Sequence, residues 1–444
     1  MMLALSPNNF TEWIHKQVHS NGSEAFAFSP ELRAPSLSVL DGGVFPTRKD
    51  EEWRYTPLKE ILSQFPEAST SSPVNPESIA DLKEAVPQAL HLVFVNGSFS
   101  ASLSDAPSSL NKQGLSIKHI ATLEGSSRER AEGMVGESSL SDDNIFKHIS
   151  LGLAKSGLFI QVEKSTEIER IVHVLHISTE SELSTFSNPV HVICVGQNGR
   201  LKLLEQYASI GNGKALSIPA VFIQVEAGAT LEHYKIGLES DQSNHVSNAS
   251  VTVATSGTYT SHQYLLGSRM TRSNMEVCFS GSGAQAILRG IYLGEGDQHL
   301  DVRTYMDHAH PNCSSDQHFR GIMNNQSRGV FNGMVLVRKD AQKTDAQQSN
   351  KNLLLSREAR IDTKPQLEIF ADDVKCAHGA TVGELDKDAL FYLQSRGIAK
   401  AEAKLMLTRA FAAEITDEID IKSLRKYVQN KISFLLNGVN TSSV

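Results

Sequence analysis

Four glycines punctuate the middle of the chain at near-constant intervals: Gly199, Gly228, Gly257 and Gly283, spaced by 29, 29 and 26 residues. Each opens a short alternating run. Leu201, Leu203 and Tyr207 follow the first, and Leu231, His233 and Tyr234 the second. Tyr259, Ser261 and Tyr264 follow the third, and Ala284, Ala286 and Leu288 the fourth. The unit reads as a turn and then a strand of roughly six residues. One such unit cannot bury its inward face alone, so units of this kind must stack, which predicts a β-solenoid. The hairpins of an antiparallel sandwich give the same punctuation, and periodicity alone leaves both open. Alternation begins near residue 157, with Leu158, Ile160 and Val162 on one face and Val172, Val174 and His176 on another.

The flanks have a different period. Residues 1–140 read as mostly helix and loop, with a first helix from Asn9 and a short strand His91–Val95 ending at the turn pair Asn96-Gly97. Glu67–Glu77, rich in Ser, Pro and Thr, reads as a surface linker, and Ser139–Asn144 offers caps for a helix from Ile145. After Thr381, Asp386 is placed to cap a helix that Gly397 ends, and a second helix runs from Ala399 to Glu414. Ile421, Leu424, Val428, Ile432 and Leu435 make a third, amphipathic one, with a frayed tail after Asn437. The expected division is therefore 1–150 mostly helical, 151–382 solenoid core and 383–444 helical.

A length of 444 residues exceeds one ordinary core, so two or three domains are expected. A net charge of −8 argues against a dedicated nucleic-acid binder. No apolar run approaches the ~18 residues of a membrane span, and Met1–Pro7 lacks the basic and apolar regions of a secretory signal. The expectation is a cytoplasmic protein bound to neither nucleic acid nor membrane. Four cysteines, Cys194, Cys278, Cys313 and Cys376, are too few for a disulfide framework and contain no C-x-x-C pair, so reduced thiols are expected.

The residues with most chemical content lie in Leu367–Thr381, LEIFADDVKCAHGAT. If the strand that places Leu367 and Ile369 on one face continues, Cys376 and His378 point to one side. A thiol beside an imidazole can hold a soft metal or an iron–sulfur species, and Lys375 would favour the thiolate. A cysteine and a histidine packed in a sheet give the same spacing. His308, His310 and Cys313 could bind zinc or iron if their loop folds back, but the expected reading is an ordinary loop between rungs. Asp372 and Asp373, adjacent on a strand, would face opposite ways and cannot form a working carboxylate pair. There is no Gly-x-x-x-x-Gly-Lys-Ser/Thr loop, hence no expected ATP hydrolysis, and no Gly-x-Ser-x-Gly elbow.

Three ordered blocks go further. Pro365–Ala412, the Pro46–Thr56 run PTRKDEEWRYT, and Val330-Phe331-Asn332-Gly333 through Gln347 to Leu355 resemble the scaffold family of the SUF iron–sulfur cluster assembly machinery. The resemblance covers most of residues 40–440. It implies a mainly β protein: a right-handed parallel β-helix core flanked by N- and C-terminal helical domains. The family has two paralogous subunits, SufB and SufD. Where SufB carries a cysteine thought to receive sulfur, this chain has Asn350, and where SufB has a second glutamate after its histidine it has Gly379. With the wording kept at Cys376, His378 and Trp53, the chain looks like the SufD branch, and a SufB-type paralogue is the alternative. The resemblance implies a non-enzymatic scaffold, pairing with SufB through β-helix strands and docking the SufC ATPase on the helices of 386–436. ATP-driven dimerisation of SufC would then expose an assembly site at the SufB–SufD junction. His378, then Cys376, would be this chain's transient ligands to a nascent iron–sulfur cluster. A flavin on the whole complex is not assigned to this chain, and an isolated chain could homodimerise through the surface meant for SufB. A polysaccharide-acting β-helix enzyme and a structural homo-oligomer are the competing classes. The first would show several carboxylates on one strand face, and none is seen.

Overall fold

The glycine interval marks one full turn of a solenoid, but each turn holds two long strands, one in each of two facing sheets. In the computed structural model, which describes residues 9–19, 26–62, 73–105, 114–138, 144–180 and 184–438, strands of 8–10 residues alternate between the sheets from Thr230 onward. The second strand of each turn escaped the glycine pattern. Asn244–Val253 and Met270–Phe279, for example, open on Asn, His, Ser, Thr and Arg residues that are buried nonetheless. Alternation of apolar and polar residues does not flag such a strand.

Successive turns stack in parallel. Leu203 pairs with His233, His233 with Ser261, Ser261 with Leu288, Leu288 with Gln317, Gln317 with Gln348 and Gln348 with His378. The hairpin sandwich is thereby excluded. The pairs Leu90–Val95 with Ser98–Ser100 and Leu115–His119 with Leu158–Val162 are antiparallel and finish the N-terminal end of the sheets. Asn96 and Gly97, at φ +48° and +82°, are the two left-handed residues that a two-residue hairpin turn requires. The interior between the sheets is one continuous core, from Leu92 and Phe94 at one end to Phe331, Val335 and Ala346 near the other.

The helices cover the outer faces. On one sheet Leu216, Ile218, Val246 and Met270 meet Phe10, Trp13, Ile14, Phe146 and Ile149. On the other, Tyr234, Tyr264, Ile291, Leu293 and Ile322 meet Ala412, Ile415, Leu424, Val428 and Ile432. Each large apolar side chain buried in this way contributes roughly 1.5–3 kcal/mol, so neither helical flank is a loose appendage. The C-terminal helices span Lys387–Ser395, Lys400–Thr416 and Lys422–Gly438. Asp386 accepts from the Asp388 and Ala389 amides, and Gly397 at φ +88° ends the first helix as expected. Arg289 bonds both Glu418 and Asp316 (2.6 and 2.7 Å), tying the helices to the sheet. The Pro46–Thr56 block is a strap over the first sheet. The Arg272 guanidinium lies 3.6 Å above the Trp53 ring and pairs with Asp301, which also accepts from Thr56.

Asn144 caps the helix from Ile145, while Ser139–Asp143, residues 67–72 of the expected linker, Met1–Pro7 and the tail from 439 lie outside the described residues. Pro76–Ile79 is a 3₁₀ turn. No helix among the described residues is long and apolar enough to cross a membrane.

Candidate functional site

Among the described residues, the solenoid ends on two strands with no further strand beyond them. Among those residues Arg360–Ile369 pairs only with Arg328–Val337, and Lys375–Gly383 only with Asp345–Leu354, so each leaves a row of backbone groups facing outward. Between them residues 370–374 make a turn. The strand through Leu367 and Ile369 therefore does not continue to Cys376 and His378, which belong to the opposite sheet. Asp372 and Asp373 fall on that turn and are exposed, which corrects the reading that set them on a strand. Backbone pairing of Lys343 with Asp373 and the Gln342 side chain on the Asp373 amide hold the turn in place.

Cys376 and His378 do share a face, because the terminal strand restarts at Lys375. Their ladder partners Ala346 and Gln348 point into the solenoid and are buried, so both residues occupy inward positions. In any earlier turn such positions are covered by the next rung. Here no rung follows among the described residues, and His378 is exposed while Cys376 is half-buried against the core. Below them the interior is polar. Gln348 has both side-chain polar atoms buried without a hydrogen-bond partner, and so has the amide nitrogen of Gln317. One position along, Asn350 is fully buried in a network with Tyr292, Asn352 and Thr363. Asn350 is thus a structural peg.

The expectation that Lys375 lowers the Cys376 pKa is overturned. Burial pushes the thiol up, a backbone hydrogen bond from Ala346 opposes this, and the Asp345 charge adds to the rise. Cys278 and Cys313 are also raised by burial, and Cys194, beside Arg130 and Glu226, is pushed up to about 11, mainly by burial. None is held as a thiolate. His308, His310 and Cys313 are not brought together. The His308 imidazole Nε2 lies 2.8 Å from Ser315 Oγ inside the solenoid, burial lowering its pKa to about 4. Cys313 points at the Gly281 carbonyl oxygen, and His310 faces solvent. The ordinary loop is the observed one.

A second polar region was not foreseen. Glu205 accepts from His233 (2.8 Å) and Tyr207, His245 pairs with Glu239 (2.7 Å), and His176 meets His191 (3.1 Å), all buried. Burial works to raise the Glu205 carboxyl, yet the His233 hydrogen bond and charge bring it down to about 2. Burial lowers His191 to about 4 and Lys235 to about 8. The available signal was histidine inside apolar strands, as in VHVLHIST and VHVICV.

Comparison with known proteins agrees with this geometry. Residues 176–411 match the family model described as SUF system FeS cluster assembly, SufBD core domain. The chain is 31% identical to the iron–sulfur cluster assembly protein SufD of Escherichia coli K12, over 98% of each chain. It is 28% identical to an iron–sulfur cluster assembly SufBD family protein of Synechocystis over 90% of each. Against the SufD protein of Bacillus subtilis it is 26% identical, over 66% of this chain and 67% of the other. With its parallel solenoid, two helical flanks and full-length match, the chain belongs to the SufBD family of iron–sulfur cluster assembly proteins, on its SufD side.

Proposed function

We propose that the chain is a non-enzymatic scaffold subunit that presents the open end of its solenoid to SufB and helps to hold a nascent iron–sulfur cluster there. The observation that carries this reading is the exposure of His378 at an inward-facing position, on a strand whose outer edge is unpaired. A partner strand added there would complete the ladder and enclose the last rung. His378 would then be the main ligand and Cys376 the second, its half-buried thiol losing its proton on metal binding. The cluster is cargo in this scheme, and a flavin on the complex stays unassigned to this chain.

The C-terminal helices would dock SufC. The helices Lys400–Thr416 and Lys422–Gly438 already use their inner faces against the sheet, so the docking surface would be the outer one, where Phe391, Tyr392, Met406 and Phe434 are exposed. The reading divides the chain into 1–150, 151–382 and 383–444 and places it in the cytoplasm. The test is co-purification from native extract. The chain should bring down SufB and SufC together, and recovery of a homodimer alone, with neither partner, would exclude the proposal.

A further inference from the structure

Two groups of described residues converge three potential metal ligands each: His176, His191 and Glu205 inside the solenoid, and His15, His19 and Asp41 on the N-terminal helices. The buried group is already satisfied. The Leu158 amide donates to His191 Nδ1 (3.1 Å), which fixes the ring proton of neutral His191 on Nε2, directed at His176 Nε2. A metal would need that same lone pair. Glu205 meanwhile serves His233 and Tyr207.

In the surface group the three atoms hold only one another, through two contacts to Asp41 Oδ1 that an ion would replace. His15 and His19 lie four residues apart on the helix Asn9–His19, hence on one face, with their rings nearly parallel. Asp41, the last residue of the helix Pro30–Asp41, brings Oδ1 to 3.2 Å from His15 Nδ1 and 2.8 Å from His19 Nε2. Ligands around a zinc-like ion sit about 2.0–2.2 Å from it, which puts neighbouring donor atoms about 3 Å apart. Both carboxylate–imidazole distances match such an edge, and all three atoms lie within 4.8 Å of one another. The side chains are 43%, 67% and 50% exposed, so remaining coordination positions would be open to water or an incoming ligand.

We propose that His15, His19 and Asp41 form a surface site for a divalent first-row transition metal ion, cross-linking the two helices. Two imidazoles and one carboxylate suit ions of borderline hardness and do not favour magnesium or calcium. The site is remote in sequence and fold from Cys376 and His378, and it does not depend on the scaffold reading.

The test is a cobalt(II) titration of the untagged full-length chain, followed by visible absorption and calorimetry. One equivalent is expected, retained in a Cys376→Ala/His378→Ala background and lost in His15→Ala/His19→Ala. Asp41→Asn should weaken it about tenfold or more. Should the double alanine variant melt early, His19→Gln, at the exposed helix end, gives the same reading. Equal uptake by wild type and the histidine variants overturns the proposal. So does disappearance of the equivalent in the Cys376→Ala/His378→Ala background.

Discussion

His378 stands in register with Gln348 across the last pair of strands, and both polar atoms of the Gln348 side chain are buried without a partner. An unpaired buried amide costs about 1–3 kcal/mol. Gln348→Met keeps the length and removes the polar atoms. It is expected to leave the isolated chain as stable as wild type or more stable by about 1 kcal/mol, read from urea denaturation. A large destabilisation would mean that the amide has a partner in solution.

The buried histidines make the fold acid-sensitive in a defined window. Burial lowers His173 to about 3 and His191, His262 and His308 to about 4. Unfolded, each titrates near 6.5, so between pH 6.5 and 4 the unfolded chain binds protons that the folded one does not. Stability is full above pH 6.5 and falls as pH falls through that window, by roughly 5 kcal/mol per unit near pH 5.5 if all four contribute. Glu205 adds a loss between about pH 4.5 and 2, where the unfolded carboxyl is protonated first. Urea midpoints at pH 7, 6 and 5 check this, and a flat profile would contradict it.

Docking of the ATPase is expected to depend on the outer helix surface. Phe391→Glu and Phe434→Glu change side chains that are 73% and 75% exposed and should leave circular dichroism and melting unchanged. Each should weaken SufC binding at least about tenfold, as loss of a central apolar anchor does. Deleting 386–444 is a poorer test, because it uncovers Tyr234, Tyr264, Ile291 and Leu293. Unchanged SufC binding by both variants would move the docking surface elsewhere.

The solenoid was legible because its strands follow glycines and alternate, and Leu203 meets His233 at an offset of 30 residues, one residue from the 29-residue glycine interval. The third C-terminal helix was legible from the spacing of Leu424, Val428 and Ile432, all buried. What could not be read were relations between distant residues. The turn at 370–374 hides inside a run that alternates on either side. The raised pKa of Cys376 follows from burial and from Asp345, thirty-one residues away in sequence, while the adjacent Lys375 does not set it. The strap role of Trp53 depends on Arg272, and the Glu205–His233 pair on stacking two turns. The meeting of His15 and His19 with Asp41 needs the angle between two helices, which no local pattern encodes.

The central claim is that His378 contributes to the cluster itself. The most direct measurement is the iron and acid-labile sulfide carried by complexes of SufB and SufC with this chain, comparing wild type with His378→Ala. The exposed position of His378 predicts that the variant complex assembles in normal yield but carries clearly less iron and sulfide, with Cys376→Ala a milder loss. A His378→Ala complex with wild-type iron and sulfide would contradict the ligand assignment.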